Sequence, residues 1–230
     1  MRRSPVLWSH GAVTAQLPRP TGVVFDCDGL LVDTEPSWTV AETAVFAQRG
    51  LPYGPAEKEI FIGRSLADTV VLMARIFDEP GAEEALAVEL LDTVRQVIAA
   101  QAEAMPGALE IVAAVGARVP MAVASNSPRP VVEVALERGG LRRLFEVVVS
   151  VEDVAAPKPA PDLYATACAR LGVLPMGSVA FEDTVTGLAS ARAAGMRTVG
   201  VPTLSGIEFP ADWVVARLDD PTLMEWVRSW

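Results

Sequence analysis

Two aspartates separated by a single residue, Asp26 and Asp28, directly follow the apolar run Val23-Val24-Phe25 in the stretch VVFDCDGLLVDTEP (residues 23–36). Carboxylates this close repel one another unless positive charge lies between them. Polar groups follow three other apolar runs: Ser125-Asn126-Ser127 after 121–124, Lys158 in the loop beyond 147–149, and Glu182-Asp183 after 179–181. Strand alternation puts Asp26 and Asp28 on the same side and turns Cys27 the other way. Clustered carboxylates without imidazole or thiolate form an all-oxygen donor set of the kind that hard Mg2+ prefers. A carboxylate can also attack phosphorus, splitting one difficult hydrolysis into two easier steps. A lysine, a serine hydroxyl and backbone amides can neutralise charge on phosphoryl oxygens.

The elements that must position these groups are read from the pattern. Short apolar runs at 23–25, 121–124, 147–149, 179–181, 198–201 and 213–215 read as buried strands. Between most of them lie segments of 3.6-residue periodicity at 109–117, 131–138, 163–171 and 187–194. Strand then helix, repeated, implies an α/β fold with a Rossmann-like parallel sheet covered on both faces. Ligands of such sheets bind at the carboxyl ends of the strands, where the four polar groups gather. Residues 37–104 break the rhythm with no convincing strand and three helix-like stretches, 38–49, 65–77 and 83–102. The expected organisation is therefore a flexible leader (1–20), an α/β core (21–36 and 105–230) and an inserted all-helical cap domain (37–104).

Composition narrows the possible functions. With 230 residues, 51% hydrophobic, the chain has a sizeable core and room for one domain carrying an insertion. No apolar stretch reaches the length of a membrane span. A net charge of −10 repels nucleic-acid backbones and anionic membranes, so neither is an expected partner. The two cysteines, Cys27 and Cys168, make no disulfide framework, and a cytoplasmic location is the default. His10 is the only histidine, leaving nothing from which to build a Ser/His/Asp triad or a His-ligated zinc site.

The ordered motifs FDCDGLLVDTEP, ASNS, KPAPD and FEDTVTGLASARAAGM resemble the four motifs of the haloacid dehalogenase superfamily, over about residues 21 to 202. More narrowly, the chain is similar to the phosphatase and β-phosphoglucomutase-like members that carry a helical cap after the first motif. Four motifs in order are far more specific than any one. The resemblance implies Asp26 as nucleophile, Asp28 as general acid and base, and Ser125, Asn126, Lys158 and the Gly29 backbone as phosphate binders. It also implies Mg2+ held by Asp26, the Asp28 carbonyl and Asp183, with Glu182 binding directly or through water. Glu35, Arg64 and Ser65 are the candidate cap residues facing a substrate. Pro157 departs from the pattern, standing where the family more often shows Gly or Ser.

Plainer roles stand beside these. Asp26 and Asp28 could cap a turn, Lys158 could be a loop lysine, and Ser125 and Glu182-Asp183 could cap helices. Gly63-Arg64-Ser65 reads equally as a turn with an N-cap or as a substrate-reading loop. Trp38 reads as core or hinge packing and Cys27 as a small buried hydrophobe.

The expected activity is removal of phosphate from a small phosphorylated metabolite, a sugar phosphate in the leading reading, as a phosphoric monoester hydrolase. The first alternative is a phosphosugar mutase. Such enzymes of the family tend to carry a histidine after the first motif and an arginine after the cap glycine, where Trp38 and Leu66 stand here, with Arg64 slightly displaced. A non-enzymatic phosphoacceptor is disfavoured, since Asp28 would have no task in one. Asp28 also argues against dehalogenation, because a halide leaving group needs no acid. Oligomeric state is not set by the sequence.

Overall fold

The computed structural model describes residues 17–61, 65–203 and 209–230. Six strands form one parallel sheet: β1 (Val23–Phe25), β4 (Met121–Ala124), β5 (Val147–Val149), β6 (Val179–Glu182), β7 (Arg197–Gly200) and β8 (Trp213–Val214), in the order β5-β4-β1-β6-β7-β8. The chain runs outward from β1 through β4 to β5, then returns to β6 on the other side of β1. That reversal of direction beside β1 is where an open α/β sheet leaves a crevice.

β1 is buried on both faces and therefore reads as an unbroken apolar run. Val23 and Phe25 point into one apolar cluster with α5 (Ala108–Gly116), α6 (Arg129–Arg138) and α9 (Pro221–Arg228). Val24 points into the other, with α7 (Asp162–Leu171) and Ala191 of α8 (Val185–Ala193). Phe25 pairs in register with Phe181 and stacks on it, ring centroids 4.9 Å apart. Asp26 N–H donates to the Phe181 carbonyl at 3.0 Å, so the backbone of the first aspartate is tied to the strand that ends in Glu182.

Among the described residues, four helices stand between β1 and α5: α1 (Glu35–Gln48), α2 (Pro55–Phe61), α3 (Leu66–Ile76) and α4 (Glu83–Gln101). In α4 Leu86, Leu90, Val94 and Ile98 recur every four residues and are all buried, each such burial contributing about 1.5–3 kcal/mol. Phe46 packs on Tyr53, Phe61 and Phe77, and Arg49 ties α1 to Glu79 and Glu89 with ion pairs of 2.9 Å. One apolar cluster runs without a break from the sheet into these helices.

The structure corrects the sequence reading in two places. Among the described residues the insert holds four helices, one more than expected, since α2 is only seven residues long, too short for its periodicity to show. The stretch expected to lack strands ends in one: β3 (Glu103–Ala104) pairs antiparallel with β2 (Val32–Asp33), Val32 with Ala104 and Asp33 with Glu103. This two-stranded ribbon carries both passages of the chain between sheet and insert. Among the described residues, no helix is long and apolar enough to cross a membrane.

Candidate active site

Asp26 leaves β1 at its carboxyl end, Ser125 follows β4, Glu182 ends β6 and Asp183 follows it, while Lys158 arrives from the loop before α7. Asp26, Lys158 and Asp183 are each 7% exposed and Glu182 is wholly buried, while Asp28 and Gly29 are half-buried. Lys158 Nζ lies 2.5 Å from Asp26 Oδ1 and 2.6 Å from Glu182 Oε1. Burial opposes charge on Lys158, but Asp26 and Glu182 outweigh it and hold the ammonium above its usual value.

Asp28 is held at both oxygens: Thr34 Oγ1 donates to Oδ1 at 2.8 Å and Ser125 Oγ to Oδ2 at 2.9 Å. Ser125 Oγ in turn accepts from Ser127 N at 2.9 Å. The Asn126 side chain is bonded to the Lys158 backbone, accepting from Lys158 N at 2.8 Å and donating to Lys158 O at 3.3 Å. Cys27 turns away from the site into the core.

The Glu182 carboxylate is occupied throughout. Oε1 accepts from Lys158 and from Tyr164 OH at 2.6 Å, while Oε2 accepts from Thr184 Oγ1 at 3.1 Å and Thr184 N at 3.3 Å. It rests against Gly187, where a Cβ would meet Glu182 Oε1 at 1.8 Å. Gly29, at φ +79, has a matching role, because a Cβ there would lie 2.5 Å from Asp183 Oδ2.

Three carboxylates, Asp26, Glu182 and Asp183, each present an oxygen within 4.8 Å of the others. Among the described residues Asp183 Oδ1 is buried with no hydrogen-bond partner, while Oδ2 accepts from Thr203 Oγ1 at 3.4 Å. An orphaned buried carboxylate oxygen is costly, and an oxygen-only donor set suits a hard divalent cation. The metal-free electrostatics agree. Burial, and after it Glu182, pushes Asp183 up to about 7. Burial also drives Asp26 well above the usual carboxylate range, with Lys158 only partly opposing it. A bound cation would oppose both trends, with Asp26 and Asp183 among the residues that would hold it.

Two of the cap candidates, Glu35 and Ser65, have partners within the insert. Glu35 sits in the first turn of α1 and pairs with Lys58 of α2 at 2.9 Å. Ser65 acts as the N-cap of α3, accepting from Asp68 N at 3.1 Å. Arg64 lies outside the described residues. Trp38 and Leu66 are partly buried against the main apolar cluster. Sequence reasoning passed over Thr34, Tyr164 and Thr184. Their only signal is position: within the first motif, six residues after Lys158, and beside the Glu182-Asp183 pair.

A model of the haloacid dehalogenase-like hydrolase family matches residues 23–201. The chain belongs to that family. It sits among the family's phosphoric monoester hydrolases: it is 35% identical over 189 residues to the fructose-1-phosphate phosphatase YqaB of Escherichia coli, covering 81% of this chain and 98% of that protein. It is 34% identical over 209 residues to the validoxylamine A 7'-phosphate phosphatase of Streptomyces hygroscopicus, covering 88% and 95%. Among solved structures it is similar to CbbY of Rhodobacter sphaeroides in complex with phosphate, with a TM-score of 0.77 at 25% identity over 87% of this chain and 95% of that one. This hydrolase thus shares its fold with that structure over most of both chains.

Proposed function

We propose that the protein is a Mg2+-dependent phosphatase that hydrolyses a small phosphorylated sugar through an aspartyl-phosphate. The observation that carries this reading is the placement of Asp26 at the end of β1, with the Lys158 ammonium at 2.5 Å and Asp28, two residues on, held at both oxygens. The named phosphatases among its relatives support the substrate class.

In this reading an Asp26 oxygen attacks phosphorus and the ester P–O bond breaks. Asp28 gives its proton to the departing alkoxide, so an alcohol leaves. Water then attacks the aspartyl-phosphate and gives a proton back to Asp28. The Asp26–phosphorus bond breaks, releasing inorganic phosphate and restoring both carboxyl groups. Lys158 and Ser125 place positive charge and a donor beside the phosphoryl oxygens. Asp26, the Asp28 carbonyl and Asp183 would hold Mg2+, which when bound offsets charge on the phosphoryl group. Glu182, with its acceptors filled, serves Lys158 instead. The insert moves to admit substrate, and the β2–β3 ribbon is the natural pivot.

The mutase alternative needs a cap cation for a second phosphate, and the partly buried Trp38 and Leu66 supply none. Turnover of a sugar monophosphate in 18O-water separates the readings. We expect labelled inorganic phosphate with little positional isomer, and a loss of at least about 1000-fold in Asp26→Asn. Isomer formation outrunning phosphate release when a trace of sugar bisphosphate is added would overturn the hydrolase, and an active Asp26→Asn would remove the aspartyl-phosphate.

A further inference from the structure

Tyr164 stands in the first turn of α7, wholly buried. Its ring fills space against β1 and β4 in the second apolar cluster, but its hydroxyl points at charge. It donates to Glu182 Oε1 at 2.6 Å, the same oxygen that receives Lys158 Nζ at 2.6 Å, and its own oxygen accepts from that nitrogen at 3.4 Å. Nζ also sits 4.9 Å from the centre of the Tyr164 ring. Lys158 is thus shared between two carboxylates, Asp26 and Glu182, and their relative pull sets where the ammonium rests.

Glu182 is the fully buried partner, and its hold on the lysine depends on what else its oxygens accept. The Thr184 donors occupy Oε2. At Oε1 the Tyr164 hydroxyl is the second donor, and a hydrogen bond to an ionised acceptor withdraws charge from it. Without the hydroxyl, Oε1 has Lys158 alone and draws the ammonium away from Asp26.

We infer that Tyr164 is a positioning residue, which acts through Glu182 to keep the Lys158 ammonium beside Asp26. Its bearing on turnover rests on the phosphatase reading, whereas the position of Lys158 does not. The two are measured separately in Tyr164→Phe, which keeps the ring and removes one oxygen.

The chain has two lysines, Lys58 and Lys158, so selectively 15N-labelled enzyme has two Nζ signals, and Lys58 on α2 serves as an internal control. We expect Tyr164→Phe to move the Lys158 Nζ signal and leave that of Lys58 in place. With an aryl phosphate, kcat should fall by at least about tenfold, KM should change by less than about threefold, and the melting temperature should stay within a few degrees, as suits one lost hydrogen bond to a charged group. An unmoved Lys158 signal, or an unchanged kcat in an enzyme that is active as wild type, would reduce Tyr164 to a packing residue. Wild-type enzyme that releases phosphate from no ester would instead defeat the proposed function, and the Nζ signal would still decide the placement.

Discussion

Asn126 grips the Lys158 backbone from both sides, taking its N–H at 2.8 Å and donating to its carbonyl at 3.3 Å. This clamp joins the end of β4 to the loop that delivers the ammonium. Asn126 itself is exposed, so Asn126→Ala, which removes both hydrogen bonds to Lys158, should cost about 0.5–1.5 kcal/mol in chemical denaturation. It should also lower kcat about tenfold by loosening Lys158. Asn126→Asp keeps the acceptor for Lys158 N–H and should lose less stability. Wild-type turnover in Asn126→Ala would show that the clamp does not position the lysine.

The orphaned Asp183 Oδ1 makes the metal directly testable. Exhaustive chelation should abolish phosphate release and Mg2+ should restore it, while Ca2+, with a larger and looser coordination sphere, should not. Mg2+ should also raise the melting temperature, because a ligand bound only by the folded state stabilises it. Asp183→Asn should lose most of that rise. Full activity in chelator would refute the metal site.

Away from the site, Asp153 gives a pH dependence of defined sign. It accepts from Ser150 N at 2.8 Å and pairs with Arg129 of α6 and with Arg170 of α7, the latter at 2.8 Å. Burial opposes its charge, but the Arg170 and Ser150 hydrogen bonds and the Arg129 charge hold the carboxyl below the usual range. A folded-state value below the unfolded one, near about 4, stabilises at neutral pH, and the contribution is lost as pH falls below that value. Asp153→Asn should therefore cost about 1–3 kcal/mol at pH 7, with the gap from wild type narrowing in acid. A gap that stays constant or widens as pH falls would contradict the assignment.

The strand ends carrying Asp26, Ser125 and Glu182 are legible in the sequence because each is an apolar run that stops abruptly at polar residues, and a parallel sheet puts all such stops on one edge. What is not legible is how the polar groups share one another. Asn126 turns to a backbone 32 residues away and Tyr164 to a carboxylate 18 residues away, and neither pairing leaves a periodic trace. The same reason hides β2 and β3: two residues each, they exist because the chain leaves and re-enters the core side by side.

That ribbon has a consequence for how such a protein can change. Val32 is paired with Ala104 and Asp33 with Glu103, so neither passage can lengthen or slide without carrying the other. A one-residue slip would turn buried Val32 outward and bring exposed Asp33 in. The re-entering chain is pinned just beyond, where Gly107 at φ +87 lies so close to the Asp219 backbone that a Cβ would meet its nitrogen at 2.4 Å. Residues 32–104 therefore form one cassette: a helical insert transplanted from a relative would keep its seat when both strands travel with it, and lose it when only one does.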